Sequence, residues 1–168
     1  MNPMRIFLIL LGAALLGACA SSRVVAPQAP VLAQGEAPAA IVYFIRPRAS
    51  RTHGVADNPV RVLIDKQYVL DLAEGEYVRL RLVPGEHEIE LRNLTFMTTE
   101  TTPTEVWRTR TFVFGPGQTY YLQARLDDQE FRGVYFVPER IGADRARWLV
   151  REQGLRAAGE DARRHPIR

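Results

Sequence analysis

Residues 41–47 read Ile41-Val42-Tyr43-Phe44-Ile45-Arg46-Pro47. Five consecutive apolar residues, β-branched or aromatic, favour an extended strand. Side chains alternate between the two faces of a strand, so an unbroken apolar run leaves neither face for water. The run predicts a strand covered on both sides and stopped by Arg46-Pro47, since proline cannot donate to a ladder.

Working outward, further short apolar runs are separated by Gly, Pro and Asp. They predict strands over 60–64, 68–72, 77–83, 87–91, 107–114, 120–126 and 134–137. Short strands at this spacing imply a mainly β chain: a small antiparallel β-sandwich or partial barrel. Around Pro84-Gly85 the pattern predicts a hairpin with Leu82 opposite His87, Leu80 opposite Ile89 and Val78 opposite Leu91. In that register Arg81 meets Glu88 and Arg79 meets Glu90 on the other face. An L-Pro-Gly turn has the wrong twist for a tight two-residue hairpin, so a longer loop is the alternative. Gly115-Pro116-Gly117-Gln118 reads as a second turn of the same kind.

After Pro138 the period changes. Ile141, Trp148 and Leu155 fall seven apart with Leu149 beside them, which predicts a short helix over about 143–153, stopped by Gly154. Its apolar stripe is open to two roles, docking a partner or covering an edge or face of the sheet. Burial of both Trp148 and Leu149 is expected. Residues 159–168 read as a frayed basic tail, so truncation after Ala158 should leave the domain intact.

Upstream, the chain has a basic start at Arg5, an uncharged run over 6–16 and then Gly17-Ala18, the three parts of an export signal over residues 1–18. The run is about eleven residues, against roughly 20 needed to cross a bilayer as a helix. Cys19 follows, the only cysteine in the chain. Leu16-Gly17-Ala18-Cys19 resembles the lipobox of bacterial lipoproteins. The resemblance implies cleavage between Ala18 and Cys19, lipid attachment at Cys19 with palmitate among its acyl chains, and a permanent anchor. Residues 19–39, rich in Ala with Pro27, Pro30, Pro38 and Gly35, read as a lipid-anchored flexible spacer before a domain over 40–158. In the lipoprotein sorting pattern an aspartate after the cysteine retains the protein at the inner membrane. Ala20 stands there, which, for a host with two membranes, implies the outer membrane, facing the periplasm.

The stretches 39–48 (AAIVYFIRPR), 60–91 (VRVLIDKQYVLDLAEGEYVRLRLVPGEHEIEL), 116–124 (PGQTYYLQA) and 134–142 (VYFVPERIG), in this order behind a lipobox, resemble the bacterial lipoprotein family called Domain of Unknown Function 2846. The resemblance implies an envelope location and a β-rich fold, and brings no catalytic residues. Two departures stand out. The turn after Ile64 reads Asp65-Lys66-Gln67 where Asp-Gly is usual. A Thr-rich segment over 93–105 contains Thr98, Thr99, Glu100, Thr101 and Thr102, a candidate binding loop or simply a solvated hairpin tip.

No constellation for catalysis emerges. The serines are Ser21, Ser22 and Ser50, outside any nucleophile elbow. His165 is in the tail and His53 in the Arg-rich loop after the first strand. His87 shares a face with Ile89 and Leu91 and reads as a packed residue with a satisfied ring. No histidine pair has metal-ligand spacing and no glycine loop cradles phosphate, so neither a metal nor a cofactor is implied. From Arg140 onward eight arginines stand against four acids. This excess suits anionic head groups or an acidic partner, or else a solvated helix face. The expected partners are the membrane, through the anchor, and an envelope protein or glycan. Nucleic acid is excluded for an exported chain. The function expected is a non-enzymatic binding or structural module; the alternative is an enzyme acting on a cell-wall polymer, which a clustered Asp-His-Arg pocket would favour.

Lipidation makes a direct prediction. Cys19→Ala should leave an unprocessed precursor that takes up no labelled fatty acid, whereas undiminished labelling of the variant contradicts the assignment.

Overall fold

The structure is a computed structural model that describes residues 23–24, 32–34, 38–97, 101–129 and 132–167. Ten strands form two five-stranded sheets. The first holds β1 (Arg23–Val24), β4 (Gln67–Leu72), β3 (Val60–Ile64), β6 (Gly85–Thr95) and β7 (Thr104–Phe114), in that spatial order. The second holds β10 (Arg156–Ala157), β5 (Glu76–Leu82), β2 (Ala40–Arg46), β8 (Thr119–Gln129) and β9 (Gly133–Ile141). The chain is thus a mainly β sandwich and not a closed barrel. Two pairings are parallel, β2 with β8 and β10 with β5; the rest are antiparallel.

The strand at 41–45 behaves as its composition demands. Val42 and Phe44 enter the core between the sheets with Leu70, Leu80, Ile89, Leu91 and Phe114. Tyr43 and Ile45 point the other way, into a second core with Tyr77, Ala146, Leu149, Leu155, Ala162 and Ile167. That core lies under α1 (Ala143–Glu152), β10 and α2 (Glu160–Arg164). The helix therefore takes the covering role, over the outer face of the second sheet.

Three expectations are corrected. First, β5 and β6 are not a hairpin, because they belong to different sheets. Val78, Leu80 and Leu82 still meet the core that contains Ile89 and Leu91, but across the sandwich. Alternation fixes which side chains point inward, and inward looks the same from a neighbouring strand or an opposing sheet. The expected pairs of Arg79 with Glu90 and Arg81 with Glu88 cannot form on opposite outer faces. Arg79 pairs with Asp161, and Glu90 with Arg92. Both Pro-Gly turns are corners between sheets, with Gly85 at φ +148° and Gly117 at φ +68°.

Second, Trp148 is 40% exposed with the Arg145 guanidinium 4.2 Å over its ring, while Ala146 and Leu149 fill the buried stripe. The helix stops as expected: Gly154 has φ +59° and Leu155 N–H donates to the Val150 carbonyl. Third, residues 159–167 are packed, not frayed. Ala162 and Ile167 are buried, Tyr43 Oη donates to the His165 carbonyl at 2.8 Å, and burial raises the phenol pKa of Tyr43 and Tyr77.

The turn Asp65-Lys66 connects β3 to β4 with both residues at positive φ, 51° and 66°, the two-residue hairpin form usually filled by Asn-Gly or Asp-Gly. Asp65 compensates by binding: its carboxylate accepts Glu88 N–H at 2.9 Å and lies 2.6 Å from His87 Nδ1. His87 Nε2 lies 2.7 Å from the Val83 carbonyl, so this histidine is a packed, hydrogen-bonded residue. Two pieces of the segment read as a spacer also touch the domain: Arg23–Val24 pairs with β4, and Leu32 bridges to Leu82 on β5.

Truncation after Ala158 should therefore destabilise the domain, by about 3 kcal/mol for the lost Ile167 burial and Tyr43 bond. Thermal denaturation checks this, and an unchanged melting temperature restores the frayed tail.

Candidate functional site

Pro47 ends β2, and the chain loops out through Arg48, Ser50, Arg51 and His53 into a 3-10 turn over Gly54–Asp57 before β3 begins. Arg46 stays behind, only 1% exposed. Its guanidinium donates to the carbonyls of Asn58 at 2.7 Å, Leu72 and Ala56 at 3.1 Å and Asp57 at 3.3 Å, and lies 4.7 Å over the Phe136 ring. Its Nε has no hydrogen-bond partner. Burial pushes the Arg46 pKa down to about 10, against the opposing pull of Glu74 and Asp57. It therefore stays charged at neutral pH, with carbonyl dipoles as its main ligands.

Around this floor opens a cleft of about 450 Å³. Its lining includes Arg46, Arg48, Arg51, Arg125 and Arg145, against the three carboxylates Asp57, Glu74 and Asp128. The walls are braced. Arg48 N–H donates to Gln153 Oε1 and its Nε to the Gln153 carbonyl, tying the loop to the end of α1. Ala49 N–H donates to Glu74 Oε1, and Arg51 pairs with Asp128 on β8.

His53 is the residue that the sequence did not single out for chemistry. Its side chain is 7% exposed, with Nδ1 3.8 Å from Asp57 Oδ1 and Nε2 4.0 Å from Asp128 Oδ2. Nδ1 has no hydrogen-bond partner. The ring thus lies between two carboxylates, beyond hydrogen-bond distance of either, in the wall of an arginine-rich cleft. Ser50 lines the same cleft. The distance of Asp128 in sequence from 53 and 57 hid the cluster; β8 running past the end of β2 brings it to them.

The expected candidates fall elsewhere. Ala18, Cys19, Thr98, Thr99 and Glu100 lie outside the described residues, while Thr101 and Thr102 are exposed at the tip between β6 and β7. Several arginines of the C-terminal excess are ion-paired: Arg147 with Asp144, Arg151 with Glu152, Arg156 with Glu76 and Arg164 with Glu160. Among the described residues no group of three or more His, Cys, Asp or Glu is placed to hold a metal ion, and no helix is long and apolar enough to cross a membrane. Compared with protein-family models, curated proteins and solved structures, the chain matches none.

Arg46→Met should strip four carbonyls of a charged donor and destabilise the fold by about 3 kcal/mol or more. Arg46→Lys should recover only part of this, because a compact ammonium lacks the planar fork that spans these carbonyls. Chemical denaturation of the full chain measures both, and wild-type stability in Arg46→Met contradicts the assigned role.

Proposed function

We propose that the chain is a lipid-anchored lipoprotein of the cell envelope, of the family Domain of Unknown Function 2846, held at the periplasmic side of the outer membrane. Its domain is a non-enzymatic binding module, and the cleft around Arg48, Arg51, Arg125 and Arg145 takes an acidic group of an envelope protein or glycan. The observation that carries this reading is a braced concave site with five arginines against three carboxylates. Guanidinium groups bind carboxylate and phosphate through paired donors. With a photo-reactive residue in place of Ser50, irradiation of intact cells should give a discrete adduct that is lost when Arg125 and Arg145 are both changed to Glu. Labelling indifferent to that charge reversal contradicts the reading.

One observation favours a second reading, an enzyme acting on a cell-wall polymer: His53 held between Asp57 and Asp128 in the same cleft as Ser50. Release of soluble fragments from purified peptidoglycan by the full-length protein, lost in His53→Asn, would put this reading first.

A further inference from the structure

Of the six large apolar side chains exposed among the described residues, three stand together at one end of the first sheet, while Val83 and Val113 lie toward its other end and Trp148 is on α1. Trp107 on β7 is 54% exposed, Leu94 on β6 38%, and Phe96, just past β6, 46%. Arg92 pairs with Trp107 and Leu94 with Glu105, so Leu94 and Trp107 are diagonal neighbours on the outer face. The charges beside them are matched to one another: Glu105 accepts from Arg61 and from Arg92, both at 3.3 Å, and Arg92 also pairs with Glu90. An apolar patch rimmed by internally paired charges marks a contact surface. The root of this hairpin is fixed to the second sheet, where Thr95 Oγ1 accepts Val134 N–H and Asn93 Nδ2 donates to the Val134 carbonyl, both at 2.9 Å.

The register says what lies at that end. A row of paired residues crosses the first sheet from Arg23 through Asp71, Arg61 and Arg92 to Trp107. Strand β1 runs antiparallel to β4, and β6 runs parallel to β4 through β3. The chain therefore enters β1 from the end toward which β6 climbs to its tip. Cys19 precedes Arg23 by four residues, a reach of at most about 14 Å. Phe96 follows Arg92 by four residues, about 13 Å beyond the same row. The start of β1 and the end of β6 therefore lie at the same end of a sheet about 19 Å wide at strand spacing. The loop bearing Arg48 and Arg51 is at this end too, since Arg46 reaches the Leu72 carbonyl.

We propose that this end of the sandwich rests on the bilayer to which the chain is anchored, with Leu94, Phe96 and Trp107 of the β6–β7 hairpin seated in the head-group region. The proposal rests on the reading that Cys19 is acylated. With only three residues between Cys19 and β1, the tether holds the domain against the surface. Indole rings favour the membrane–water interface, where the ring is half apolar and its N–H stays wet.

The test uses the full-length acylated protein in vesicles of phosphatidylethanolamine and phosphatidylglycerol containing bromine-labelled phosphatidylcholine. Trp148→Phe leaves Trp107 as the sole tryptophan, and Trp107→Phe leaves Trp148. Brominated lipid should quench Trp107 by roughly half or more, as for an indole in the head-group region, and leave Trp148 nearly unquenched. Adding Leu94→Ser and Phe96→Ser to the Trp107 protein should abolish most of the quenching at unchanged melting temperature. If Cys19 carries its acyl chains and the protein floats with the vesicles, yet Trp107 is unquenched and open to aqueous acrylamide, the proposal fails while the anchor stands. A Trp107 shielded from both quenchers means a protein or second copy covers the patch, which also overturns it. Unacylated protein that does not float removes both the anchor and the proposal.

Discussion

The side chain of Arg46 occupies the place where the two sheets, the loop and the cleft meet. It leaves the end of the central strand of one sheet, reaches the Leu72 carbonyl at the end of a strand in the other, and gathers three carbonyls of the 56–58 segment on the way. An isolated buried charge is costly, and here it is tolerated because carbonyl oxygens and the Phe136 face replace water around the guanidinium. The same bonds hold the 3-10 turn in place, and that turn carries Asp57 and sets the position of His53, whose backbone N–H donates to the Asp57 carboxylate. The cleft thus inherits its shape from a structural device one layer below it.

The other constraint is that β2 is apolar on both faces. A sandwich alone covers one face of each sheet. The second face is covered by α1, β10, α2 and the residues flanking them, where Leu149, Leu155, Ala162 and Ile167 share a core with Tyr43 and Ile45. Residues 139–167 are consequently part of the fold, and most of the arginines in them pair with local acids or cover rings. Arg140 illustrates this: it donates to the Val113 carbonyl and lies over Phe112, Phe114 and Tyr120, closing the gap between β7 and β9.

Much of this was legible in the residues. Strand positions followed from alternation and turn chemistry, the double covering of β2 from five apolar residues in a row, and the helix stop from Gly154-Leu155. What stayed hidden is the partner of each face. The run 78–91 specifies inward and outward residues equally well for a hairpin and for a corner between sheets, and only the unsuitable twist of Pro-Gly hinted at the corner. Trp148 fell on the expected seven-residue spacing, yet a ten-residue helix lying on a sheet buries a narrower stripe, centred on Ala146 and Leu149. The cleft was illegible for a different reason. His53, Asp57 and Asp128 carry no spacing signal, because the last comes from a parallel partner strand seventy-one residues beyond Asp57.

Amide hydrogen exchange of the full-length protein tests the central claim, that a doubly covered β2 locked by Arg46 organises the molecule. Residues 40–46 should exchange most slowly, with protection extending over 156–167 as the third layer that covers them. Exchange of 40–46 as fast as that of the edge strand β7, or unprotected amides throughout 159–167, would contradict the account.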